Sequence, residues 1–145
     1  MILKAGKQDL DRVVEFLLSA NLGTDGLTEE TVENFLVLQD EAGSIRGSLG
    51  IEAYKEYGLL RSLVVSPPQA EKEIFILFNQ MLKLAREKGI TSLFLATNKS
   101  AALSFFEVLG FRKIGREEIP NEFYGSDHIR HILNVDNSVF LKFSL

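Results

Sequence analysis

The stretch Ser66–Phe78, SPPQAEKEIFILF, joins a strand-like run to a long helical one. In many nucleotide- and cofactor-binding folds this junction carries glycines. A phosphate there must approach the backbone at a helix N-terminus closely, and a Cβ obstructs it. Here no glycine occurs from Leu59 to Lys88, and Glu71 and Glu73 add negative charge where an anion would sit. Acids in a first turn stabilise a helix by about 0.3–1 kcal/mol, so this junction favours helix stability over anion binding. Other reactive side chains are sparse. The chain has no cysteine, which excludes disulfides, thiolate nucleophiles and cysteine-ligated zinc. His128 and His131 lie three apart, with Asp127 alongside. On a helix that spacing presents two ligands on one face, but two histidines alone read better as a polar surface turn, and no metal site is expected.

The elements that must position any site fit one domain, residues 1–145. An apolar share of 46% is enough for one substantial core. A net charge of −4 argues against a nucleic-acid partner, which needs a basic face. No apolar run approaches the roughly 20 residues of a membrane span. The N-terminal MILKAGKQDLD turns polar too soon for a signal peptide. A soluble, cytoplasmic domain is expected.

MILKA reads as a first strand ended by Gly6. Leu10, Val13, Val14, Leu17 and Leu18 recur at helical spacing, with Gly23 as the helix stop. Thr28 is placed to cap a second, short helix ending near Phe35. FLVLQD and SIRGSLGIEAY form a hairpin, and Gly47 and Gly50 in its second strand point to bulges or close packing. LLRSLVVS is a central strand. From Gln69 to Lys88 an apolar stripe marks the longest helix, ended by Gly89. ITSLFLAT is a buried strand, NKSAALSFFEVLG a helix closed by Gly110, FRKIG a strand and SVFLKFSL a final strand. The segment from Arg116 to Asn137 is ambiguous, with a helical turn at Ile129–Leu133. The order predicts a mixed α/β or α+β domain.

LLRSLVVSP followed by a long helix, and AALSFFEVLGFRKIGR with its LGF turn, resemble the central strand and the late helix–strand signature of the GNAT family of N-acetyltransferases. The resemblance covers nearly the whole length. GTDGLTEETVENFLVL and GIEAYKEYGLLRSLVV resemble its arsenic-resistance-associated branch. The resemblance implies a central mixed sheet, flanked by helices, in which two parallel strands splay apart beside a bulge. LLRSLVVS and ITSLFLAT should be that pair, diverging toward Pro67 and Thr97. It implies acetyl-CoA as cofactor, its pantetheine arm in the gap and its pyrophosphate at the start of the long helix. It implies a small-molecule amine as acceptor; a homodimer is left open.

Carried onto this chain, the cofactor positions are Leu63, Val64, Val65, Gln69, Ala70, Glu71, Lys72, Glu73, Ile74, Phe75, Asn98 and Phe106. The family's phosphate loop, Gln/Arg-x-x-Gly-x-Gly/Ala, fails in either register. One puts Glu73 and Phe75 at the glycine positions, the other Lys72 and Ile74. Acetyl-CoA binding is therefore expected to be weak or absent. The family's acid tyrosine falls on Phe106, which has no proton to donate and reads as a core aromatic. Tyr54, Tyr57 or Tyr124 could replace it only if the fold brings one close. Glu52 is the candidate base, or else a solvated strand carboxylate. Arg61 is the candidate substrate-binding residue, or else a strand arginine with its head in water. Asn98 resembles the family's helix-start asparagine, and is also an ordinary N-cap. Two functions stay open: an acetyltransferase, or a non-catalytic protein of the same fold that binds another ligand or a protein.

Overall fold

The computed structural model describes residues 1–66, 71–127, 129–130 and 138–145. The strands are β1 (Ile2–Lys4), β2 (Phe35–Gln39), β3 (Ile45–Tyr54), β4 (Tyr57–Val65), β5 (Ser92–Thr97), β6 (Arg112–Ile114) and β7 (Val139–Ser144). The helices are α1 (Leu10–Ser19), α2 (Glu71–Glu87) and α3 (Ser100–Leu109). Among the described residues the strands form one sheet in the order β1-β2-β3-β4-β5-β7-β6. Neighbours are antiparallel except β4 and β5, which are parallel and joined through α2, as a parallel pair requires a crossover.

Period-two alternation decides which side chain serves which layer. Leu36 of β2, Leu93 and Leu95 of β5 and Leu141 of β7 join Leu77, Phe78 and Met81 of α2 in one core. Their neighbours turn the other way. Phe35 and Val37 pack with Val13 and Leu17 of α1, and Phe94 and Phe140 pack with Phe123 and Ile129. So α2 and α3 cover one face, while α1 and the segment after β6 cover the other. Burying each leucine-sized side chain contributes about 1.5–3 kcal/mol. No helix among the described residues is long and apolar enough to cross a membrane.

Two local expectations change. The second helix is only a 3-10 turn, Thr31–Asn34. Its N-cap is Glu30 rather than Thr28, although the Thr28 hydroxyl accepts from the Thr31 N–H at 3.2 Å. Four residues cannot sustain an α-helix on propensity alone. The stop of α1 is Asn21, not Gly23. Asn21 sits at φ +60°, Leu22 N–H donates to the Leu17 carbonyl at 2.9 Å and Asn21 N–H to that of Leu18 at 3.0 Å, a Schellman closure. The same motif explains LGF. Gly110 takes φ +113°, Phe111 N–H donates to the Phe106 carbonyl at 3.0 Å, and the two rings pack at 5.5 Å. Phe106 thus anchors the end of α3 within the core.

Candidate active site

Tyr57, Gly58 and Leu59 of β4 pair with Ser92, Leu93 and Phe94 of β5, and the pairing ends there. Yet β4 runs on to Val65 and β5 to Thr97. Their outer flanks stay paired, Val65 with Gly47 and Thr97 with Val139. The strands therefore open as a fork beyond Leu59 and Phe94, as expected from the sequence. Each prong carries backbone groups without a strand partner on its inner side. Such groups need hydrogen bonds from elsewhere, and an extended, amide-bearing chain can supply them as an added strand does.

A bulge lies at the same place. Ser48 pairs with Val64 but Gly50 with Arg61, so Leu49 faces both Ser62 and Leu63. An extra residue of this kind bends its strand and re-aims side chains. Ser62 adopts φ +60°, and the buried Ser48 hydroxyl donates to its carbonyl at 2.7 Å. The bulge slips the alternation by one. Leu60, Leu63 and Val65 all join the α2 core, whereas Leu59 and Val64 serve the opposite face. Gly50 has a separate reason to be glycine, because a Cβ there would collide with the Phe35 ring.

Arg61 turns to the α1 face and is buried with Glu52. Their side chains are 2% and 14% exposed, and Arg61 Nη1 lies 3.1 Å from Glu52 Oε2. Arg61 makes further hydrogen bonds. Nη1 donates to the Asp25 carbonyl at 2.5 Å, Nη2 to the Gly23 carbonyl at 3.4 Å and Nε to the Ser62 hydroxyl at 3.1 Å. The other oxygen of Glu52, Oε1, accepts from the Tyr54 and Ser126 hydroxyls, both at 2.7 Å. Ser126 Oγ in turn accepts the Ile129 N–H at 3.2 Å, an N-cap-like bond. Burial first, and then the bond to Glu52, push the Tyr54 hydroxyl up to about 12. It therefore keeps its proton at neutral pH, as a donor to Glu52 and a weak acid. Among the described residues no buried side-chain polar atom lacks a partner.

Glu52 and Arg61 are thus brought together as a pair, with the guanidinium donating to protein acceptors. Tyr54 is the tyrosine that the fold brings to them, through its spacing of two from Glu52 along one face of β3. Ser126 was missed; its only sequence signal is its place as a small polar residue before a helical turn. Leu63, Val64 and Val65 line the open part of β4. Glu71 opens α2, Lys72 is exposed and Glu73 half-buried. Ile74 packs toward the core and the Phe75 ring meets Phe105 of α3 at 5.6 Å. Asn98 is exposed and precedes Lys99, the N-cap of α3, so it does not cap that helix. Gln69 and Ala70, with Pro67 and Pro68, lie outside the described residues, as do His128 and His131. Among the described residues no group of three metal-ligating side chains forms.

The chain is 32% identical over 139 residues to the uncharacterized protein YwlB of Bacillus subtilis, covering 95% of this chain and 92% of that protein. It belongs to the YwlB family. No protein-family model matches it. Among solved structures it resembles N-acetylglutamate synthase from Neisseria gonorrhoeae complexed with coenzyme A and N-acetyl-glutamate (TM-score 0.78, 21% identity). All of this chain is covered but only 35% of the synthase, so it spans about a third of that enzyme. It also resembles an acetyltransferase of the GNAT family from Staphylococcus aureus (TM-score 0.76, 20% identity), which covers 100% of this chain and 98% of the other. The YwlB-family chain therefore has the GNAT fold, with the mixed sheet and splayed parallel pair that the sequence led us to expect.

Proposed function

We propose that this protein is an acetyltransferase that transfers an acetyl group from acetyl-CoA to an amine of a small molecule. The observation that carries this reading is the fork between β4 and β5, opened beside a bulge and paired over three residues only. The prongs fit an extended pantetheine arm. Acetyl-CoA would supply the activated acetyl thioester; the residues of this chain hold it and handle the proton of the amine. Glu52 is the proposed base. Because its oxygens already accept from Arg61, Tyr54 and Ser126, it takes a proton by yielding one of the hydroxyl bonds. A thiolate is a fair leaving group, with a conjugate acid near pKa ~8.5, so a chain with Phe106 at the acid position can still turn over.

A second reading, a non-catalytic protein of this fold, is favoured by the start of α2. There the glycine positions are occupied by Lys72, Glu73, Ile74 and Phe75, and the loop is degenerate for a pyrophosphate. Calorimetric titration with acetyl-CoA, followed by turnover with a panel of small amines, separates the two. Binding with acetyl transfer supports the first reading. Absence of acetyl-CoA binding replaces it with the second.

A further inference from the structure

We propose that the donor site recognises the pantetheine half of its thioester alone, so that an acyl-pantetheine binds as well as acetyl-CoA and the nucleotide half adds no affinity. The inference deepens the acetyltransferase reading above and rests on it. It comes from the contrast between the fork and the surface at its mouth. Within the fork, β4 from Leu60 to Val65 and β5 from Leu95 to Thr97 lack each other as strand partners. The shorter prong, on β5, spans about 10 Å at roughly 3.3 Å per residue. That length takes both amides of an extended pantetheine, each offering an N–H and a C=O to the prongs as an added strand does.

At the mouth the chemistry changes. β4 ends at Val65 and α2 opens at Glu71, and Ile74 of α2 joins the same core as Leu63 and Val65. A ligand running out along β4 therefore leaves beside the start of α2. There Glu71, Lys72 and Glu73 give the first turn a net negative charge, and none of them is a glycine that would let a phosphate reach the backbone. The next positions are apolar. Phe75 and Ile76 are 39% and 49% exposed, and the Phe75 ring meets Phe105 of α3 at 5.6 Å. A diphosphate laid on this surface would shed water without gaining donors, which is unfavourable. Lys72 and Lys99 are exposed, and an exposed ammonium contributes little to a single ion pair. Attraction and repulsion offset, so the nucleotide half gains nothing net. Transfer does not need it either. The amine nitrogen attacks the thioester carbonyl, the C–N bond forms and the C–S bond breaks. The amine proton passes to Glu52 and pantetheine leaves as its thiolate. The reacting atoms are the same in acetyl-CoA and in acetyl-pantetheine.

The test titrates the wild-type protein by calorimetry with acetyl-CoA, acetyl-pantetheine and ADP, and then supplies each thioester as donor to a panel of small amines. A diphosphate held by two charge-assisted bonds contributes roughly a hundredfold or more to Kd, so a boundary of about tenfold separates the outcomes. Acetyl-pantetheine should bind within that factor of acetyl-CoA, or more tightly. ADP should not displace it, and the two donors should turn over with kcat/KM values within the same factor. Acetyl-CoA binding more than about tenfold tighter than acetyl-pantetheine, or displacement of acetyl-pantetheine by ADP, overturns the inference and leaves the acetyltransferase reading standing. Failure of both thioesters to bind removes that reading, and the inference falls with it.

Discussion

The two flanks of β4 differ in who satisfies their polar groups. On the β3 flank the strand is paired along its length through the bulge, and the polar side chains there are partnered within the protein. Arg61, Glu52, Tyr54, Ser126, Ser48 and Ser62 share one set of bonds. On the β5 flank pairing stops after three residues, and the inner edges are left to something other than a strand. Folding completes the first region by itself. The second has the form of a region completed by a ligand, because unpaired backbone groups cost free energy until a partner arrives. The comparison separates residues whose loss should damage the fold from residues whose loss should change binding.

The largest expected effect is on the completed flank. Glu52→Ala leaves the Arg61 cation buried without its counter-charge and should destabilise by about 3–5 kcal/mol in urea denaturation. A loss below about 1 kcal/mol would mean the pair behaves as an exposed one, and the contrast between flanks would break. Ser48→Ala comes next. It strips the donor from the Ser62 carbonyl in a site where Ser48 is fully buried, and an orphaned buried acceptor costs about 1–3 kcal/mol. If the bulge relaxes with it, acetyl-CoA binding should weaken as well, which would tie the two flanks together.

Tyr54 gives a smaller, pH-resolved effect. Its folded value is raised from 10.0 to about 12 by burial and by its bond to Glu52. Between those values the folded state keeps a proton that the unfolded chain releases. The resulting stability is therefore full below pH 10 and is lost as pH rises through about 12. Tyr54→Phe should remove that part of the decline, and the late end of the tyrosinate absorbance titration should be lost with it. Equal alkaline decline in both proteins would show that the hydroxyl is not held in the network.

The fold was legible because its signals are periodic and local. The stripe through Leu77, Phe78 and Met81 read as a helix and the apolar run ITSLFLAT as a buried strand, and both are present. LGF was readable since a Schellman closure needs only a glycine and two flanking apolar residues. The bulge was not readable in detail. Gly47 and Gly50 hinted at irregularity in β3, and the pairing with β2 does slip beside Gly47, where Arg46 is the extra residue; at the fork, however, the extra residue sits in β4 at Ser62, and register is decided between strands. Glu52 and Arg61 were singled out by type, yet their pairing depends on strand register, and the carbonyls of Gly23 and Asp25 carry no side-chain signal at all. The start of α2 had the opposite character: that no glycine occurs from Leu59 to Lys88 needs no tertiary context to be seen.

The smallest effect tests that departure on the open flank. Glu73 stands in the first turn of α2, where its charge favours the helix dipole by about 0.3–1 kcal/mol. The same charge opposes a phosphate. At about 5 Å in a water-like dielectric the repulsion is near 0.8 kcal/mol, about a fourfold change in Kd. Glu73→Gln keeps the side-chain volume and removes the charge, so it should tighten coenzyme A binding by about that factor at low salt. The gain should shrink as ionic strength rises, because the Debye length falls from about 30 Å at 0.01 M to about 3 Å at 1 M. Thermal stability should drop slightly in the same variant. This opposite movement of binding and stability is the mark of a residue that serves the helix at the expense of an anion. Unchanged coenzyme A binding at every salt concentration would mean the pyrophosphate does not approach Glu73, and the charge at the helix start would have no bearing on the cofactor.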